Sequence, residues 1–135
     1  MVAIDRNTPH RDGELFSVPC EAGAQIGGGH LVCVNAAGFA VPGSANAGLT
    51  VIGVADEFAD NRAGKPGEQT VRVRRGRAFY FDNDSAQPVA QAQVGQSCTL
   101  TNSVTVKAIK SDNKLPVVGR VLEVSISDGV LVLIQ

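Results

Sequence analysis

The chain has 135 residues, which fits one domain able to bury about two-thirds of its unfolded surface without a metal or disulfide staple. Its formal net charge of −1 gives no global field to attract nucleic acid or an anionic membrane, and 44% hydrophobic residues mark a globular chain. The apolar share is mostly Val and Ala, with five Phe, one Tyr and no Trp, which suits a pleated surface but supplies few aromatic platforms for sugars or bases.

Residues 1–14 show neither a period of 2 nor one of 3.6, and Pro9, Asp12 and Gly13 punctuate them. This predicts an extended arm, either frayed or latched onto a neighbouring subunit, before a single domain over residues 15–135. The arm is charged and polar where a signal peptide would be apolar, and no stretch approaches the ~20 apolar residues of a membrane span. The expectation is a soluble protein made in the cytoplasm.

Short strands follow at regular spacing. Residues 15–20 form the first, and after Gly27-Gly28-Gly29 a second runs over residues 30–35. Asn35-Ala36-Ala37-Gly38 is a hairpin signal that returns the chain through Phe39-Ala40-Val41-Pro42. Residues 49–55 are a longer apolar run in which Gly53 marks a bulge or a close backbone approach. A polar loop over 60–68 precedes Gln69-Thr70-Val71-Arg72-Val73-Arg74, whose strict alternation puts the valines on one face and the arginines on the other. Residues 78–81, 97–100 and 104–109 give further strands, and 117–126 and 130–134 a final hairpin around Ser127-Asp128-Gly129. The one helix candidate, residues 88–94, is barely two turns long. About ten short strands predict an all-β fold, an antiparallel β-sandwich or a partly closed β-barrel. No crossover is helical enough for parallel βαβ units.

The sequence carries no catalytic, cofactor or metal constellation. Cys20, Cys33 and Cys98 lack CxxC spacing and read as buried, reduced thiols. His10 and His30 have no ligand-spaced partner, and no GxSxG elbow accompanies the serines. Asp56 and Glu57 are adjacent carboxylates, but neighbours in a strand point to opposite faces, so they read as a solvated strand end. The glycine run at 27–29 lacks the helix and Lys-Ser/Thr of a phosphate loop. Arg72, Arg74, Arg75 and Arg77 stand out as a basic stripe. Only Phe79 and Tyr80 lie near enough in sequence to stack a base, so the stripe fits a protein contact with carboxylates better than a nucleic-acid site.

A family resemblance covers nearly the whole chain. It rests on the order and spacing of Asn7-Thr8-Pro9-His10-Arg11-Asp12-Gly13, the Val-Pro-Cys-Glu-Ala-Gly segment at 18–23, and Leu31-Val32-Cys33-Val34-Asn35-Ala36-Ala37-Gly38-Phe39-Ala40-Val41-Pro42. It continues through Val51-Ile52-Gly53-Val54-Ala55-Asp56-Glu57, Val71-Arg72-Val73-Arg74-Arg75-Gly76 and Gly119-Arg120-Val121-Leu122-Glu123-Val124. In that order the segments resemble the small capsid cement, or head decoration, proteins of tailed bacteriophages and Mu-like prophages. The resemblance implies a β-rich virion protein on the outside of the head that stabilises contacts between major capsid subunits. Its partners would be the major capsid protein and further copies of itself, as a dimer or trimer, and it implies no active site, cofactor, nucleic acid or membrane. Pro9, His10 and Arg11 of the arm join the four arginines as candidate contact residues. The competing readings are another virion component, such as a head–tail joining or tail protein, and a ligand-binding β-barrel module. An enzyme is the weakest of them.

Overall fold

The computed structural model describes residues 3–135, so Met1 and Val2 of the arm lie outside the described residues. The fold is all-β, as the patterning predicts. Among the described residues twelve strands run in order, the first six being β1 (Leu15–Pro19), β2 (Gln25–Ile26), β3 (Leu31–Val34), β4 (Ala40–Pro42), β5 (Thr50–Ala55) and β6 (Ala59–Asp60). The second half holds β7 (Thr70–Arg74), β8 (Arg77–Asn83), β9 (Ser97–Leu100), β10 (Thr105–Ala108), β11 (Val117–Ser125) and β12 (Gly129–Ile134). The two strands beyond the expected ten are β2 and β6, each two residues long and paired with each other. Two residues are too few to show a period.

The first half is a five-stranded antiparallel sheet in the order β1-β7-β5-β3-β4, and the second is a closed barrel in the order β10-β8-β12-β11-β9. The sheet curls until its two edge strands meet at one bridge, Cys20 to Ala40. In the barrel β8 and β10 pair in parallel over two residues, and the other pairings are antiparallel. That parallel pair needs no helix, because the crossover is long and carries β9 within it.

The pattern of side chains follows from which faces are covered. In β3, Leu31 and Cys33 join one core cluster while Val32 joins another, and in β5 Val54 and Ala55 divide the same way. These strands are buried on both faces, so their sequences run apolar without alternation. By contrast β7 buries only Val71 and Val73 and leaves Thr70 and Arg72 exposed, so TVRVR alternates. The larger cluster joins Leu31, Cys33, Val41 and Val54 of the sheet to Leu100, Val121, Val132 and Ile134 of the barrel, which locks the halves together.

At Gly53 both readings of the glycine hold. Val32 faces Gly53 while Cys33 faces Val51, so Ile52 bulges out of the ladder. A Cβ at Gly53 would stand 2.5 Å from the Arg74 carbonyl oxygen, too close for any side chain. Residues 88–94 form no α-helix, only a 3-10 turn over Gln91–Gln93 with extended backbone at Ala90 before it. The reason is local: the Asn83 amide accepts from Val89 N at 2.8 Å and donates to Val89 O at 2.9 Å, pinning that residue's backbone, and two turns cannot nucleate a helix against such a hold.

Candidate contact surface

The four arginines, adjacent in sequence, do different things in the fold. Arg72 and Arg74 share the solvent face of β7, as alternation requires. Arg74 is held: its Nε donates to Asp56 Oδ1 at 3.0 Å, and Asp56 N donates to Arg72 O at 2.8 Å. The carboxylate read as a solvated strand end is therefore one half of a half-buried ion pair. Arg75 turns the other way. Its Nε donates to Gly13 O at 3.0 Å, its N donates to Glu14 O at 2.9 Å, and its guanidinium lies 5.6 Å from the centre of the Phe16 ring. Arg77 opens β8, opposite Ile134 in the barrel. Arg72 and Arg77 are exposed and form no ion pair among the described residues, so of the four they are the ones free to meet a partner.

Arg75 also explains where the arm leaves the body. It clamps Gly13 and Glu14, and Asp12 Oδ1 accepts from Glu14 N at 3.1 Å. Beyond that root, residues 3–12 have no regular structure and are exposed throughout, Pro9, His10 and Arg11 among them. Ile4 is 85% exposed, an apolar side chain left uncovered by the described residues.

One pair of chemistry-bearing side chains was not visible in the sequence. His30 Nδ1 lies 2.7 Å from Ser103 Oγ, across 73 residues. The other edge of the ring is packed on Gly27, where an added Cβ would stand 3.0 Å from Nε2, and no carboxylate bonds the imidazole among the described residues. Leu31 N donates to Ser103 O at 2.8 Å beside it. The arrangement braces sheet to barrel. Among the described residues no three His, Cys, Asp or Glu side chains are grouped to hold a metal, and no helix is long and apolar enough to cross a membrane.

The polar loop over 60–68 is organised by Asn61, which is buried. Its Nδ2 donates to Glu21 O at 2.9 Å and Lys65 O at 3.0 Å, with a longer contact to Cys20 O at 3.4 Å, fastening the loop to the end of β1. Its Oδ1 has no hydrogen-bond partner among the described residues and lies against Gly64, where any side chain would collide with it. The three thiols are free and buried, as the sequence predicts. Burial pushes Cys33 up to about 11 and Cys98 up to about 12, and raises Cys20 as well, so none is a nucleophile at neutral pH.

The outer face of the barrel carries a feature that the sequence reading passed over. Leu131 pairs with Tyr80 and Leu133 with Ala78, and Tyr80 is 56% exposed. Arg120 and Glu123 stand across from Leu133 and Leu131 on the other side. The signal was present in Val130-Leu131-Val132-Leu133-Ile134, which is apolar on both faces although only one faces the core. No protein-family model, no curated protein and no solved structure matches the chain.

Proposed function

We propose that this chain is a structural virion protein that binds the outside of a tailed-phage capsid, stabilises contacts between major capsid subunits and associates with copies of itself. The observation that carries the reading is the state of the arginine strand: Arg74 and Arg75 are fastened within the chain, while Arg72 stands exposed on a rigid strand with no ion pair among the described residues. A planar guanidinium held out from a sheet is suited to a carboxylate repeated over a lattice. Repetition supplies avidity that one such pair lacks. The order and spacing of segments described above supports the same reading, and neither line of support calls for a catalytic group.

The test is subunit stoichiometry in purified particles, by quantitative peptide analysis against the major capsid protein. A near-stoichiometric ratio is expected. A few or a dozen copies per particle would replace the reading with a joining or tail component, and absence would refer the chain to the binding-module class. In the same particles Arg72→Glu is expected to lower occupancy, and unchanged occupancy would remove that arginine from the contact.

A further inference from the structure

The sheet has one open edge, and the hydrogen-bond register shows which groups it presents. Cys20 N donates to Gln69 O and Arg75 N to Glu14 O, and the Cα register of β1 against β7 places Phe16 opposite Val73 and Val18 opposite Val71. Antiparallel ladders alternate, so Glu14, Phe16, Val18 and Cys20 turn their backbone groups toward β7. Leu15 and Ser17 turn theirs outward, and neither has a hydrogen-bond partner there among the described residues. The far end of this edge is finished differently, by Pro19, which has no N–H, and by the Cys20–Ala40 bridge. Beside the open stretch the core is also incomplete: Phe16 and Val18 pack on the smaller cluster but remain only partly buried.

An open edge and an exposed arm occur on the same chain, yet the arm cannot close its own edge through the turn that its sequence favours. A two-residue hairpin at Asp12-Gly13 would pair Arg11 with Glu14 and then use Phe16 and Val18, whose groups already serve β7. The clamp of Arg75 on Gly13 O holds the arm's root on the β7 side. Ten residues of arm reach about 33 Å when extended, enough to cross to a neighbouring molecule.

We propose that the Leu15–Ser17 edge of β1 accepts the arm of a second copy of this chain, residues 3–12 adding as a strand with Ile4 as the apolar anchor over Phe16 and Val18. The exchange is self-complementary, since each copy offers one arm and one edge. Pro9 is compatible with it, because an added strand is itself an edge. This inference stands on the edge and the arm and does not need the capsid reading.

The experiment is the solution mass of the purified full chain by light scattering, with no particles present. An assembly larger than the 14.0 kDa monomer is expected. Removing residues 3–11 and, separately, Ser17→Pro should each give a folded monomer by circular dichroism. Ser17→Pro deletes an outward N–H two residues before a native proline, so β7 pairing stays intact. Mixing the two variants should restore association, because one keeps its edge and the other its arm. A monomeric wild type, an assembly that survives either change, or a mixture that stays monomeric would each overturn the proposal. Failure here leaves the particle stoichiometry untouched, and the reverse also holds.

Discussion

The two halves of the molecule meet the problem of unpaired strand edges in opposite ways. The barrel closes, so each of its five strands has two neighbours. The sheet only touches itself at Cys20 and Ala40 and leaves Leu15 and Ser17 open. Their interiors differ to match. The smaller cluster is built from Cys20, Ala24, Ala40, Ala55 and Ala59 with Ile26 and three valines, whereas the larger cluster, which fills the barrel and reaches the sheet, includes Phe81, Leu100 and Ile134. Small side chains let a sheet curl tightly but remove less apolar surface from water, and stability follows the area buried. Stability therefore concentrates in the closed half, and the unpaired backbone groups lie on the open one.

The largest expected effect tests that division directly. Leu100→Ala empties a site with no exposure and should cost about 2–5 kcal/mol in urea unfolding, while Phe16→Ala at the open edge should cost no more than about 2 kcal/mol. Equal losses would break the comparison. Next is Asn61→Ala, which strips the carbonyls of Glu21 and Lys65 of their donor and should cost about 1–3 kcal/mol. A loss below that range would mean that the loop is held by its backbone bonds alone.

Alkaline pH probes the seam where the halves share a core. Cys33 comes from the sheet and Cys98 from the barrel, and both are raised above the ordinary 9.0 by burial. Between 9.0 and about 11–12 the folded chain keeps thiol protons that the unfolded chain has shed. Stability from these groups is complete below 9.0 and falls as pH rises through that window. Melting temperature should drop across it, and Cys98→Ala should flatten the drop; an unchanged slope in the variant would assign the loss to other groups. The smallest effect belongs to Asp56 and Arg74, whose double-mutant coupling should be about 0.2–1 kcal/mol because the pair is only half-buried. A coupling well above that range would make the pair a structural element of the open half.

Much of the architecture is legible in the sequence because its causes are local. Alternation in β7 declares one covered face, the apolar runs of β3 and β5 declare two, and Asn35 to Gly38 forms the expected turn, with Asn35 Oδ1 accepting from Ala37 N and Phe39 N at 3.0 Å each. Closure of the barrel is not legible, since it depends on β8 meeting β10 across a long crossover, and no residue type announces that register. The same holds for the contact surface. Four arginines within six residues look like one stripe, but their partners, Asp56 and Gly13, lie elsewhere in the chain and divide them by role. His30 and Ser103 carry no sequence signal of their meeting at all.

Every strand of the five-stranded sheet lies within residues 15–74, and every strand of the barrel within 77–134. The strand ladders of each half thus form within its own stretch of chain, and synthesis delivers the sheet first. During that interval Leu31, Cys33, Val41 and Val54 have no barrel to pack on. The ribosome's progress through the second half decides how long this greasy face stays in water, and a chain cut at Gly76 would carry it uncovered for good.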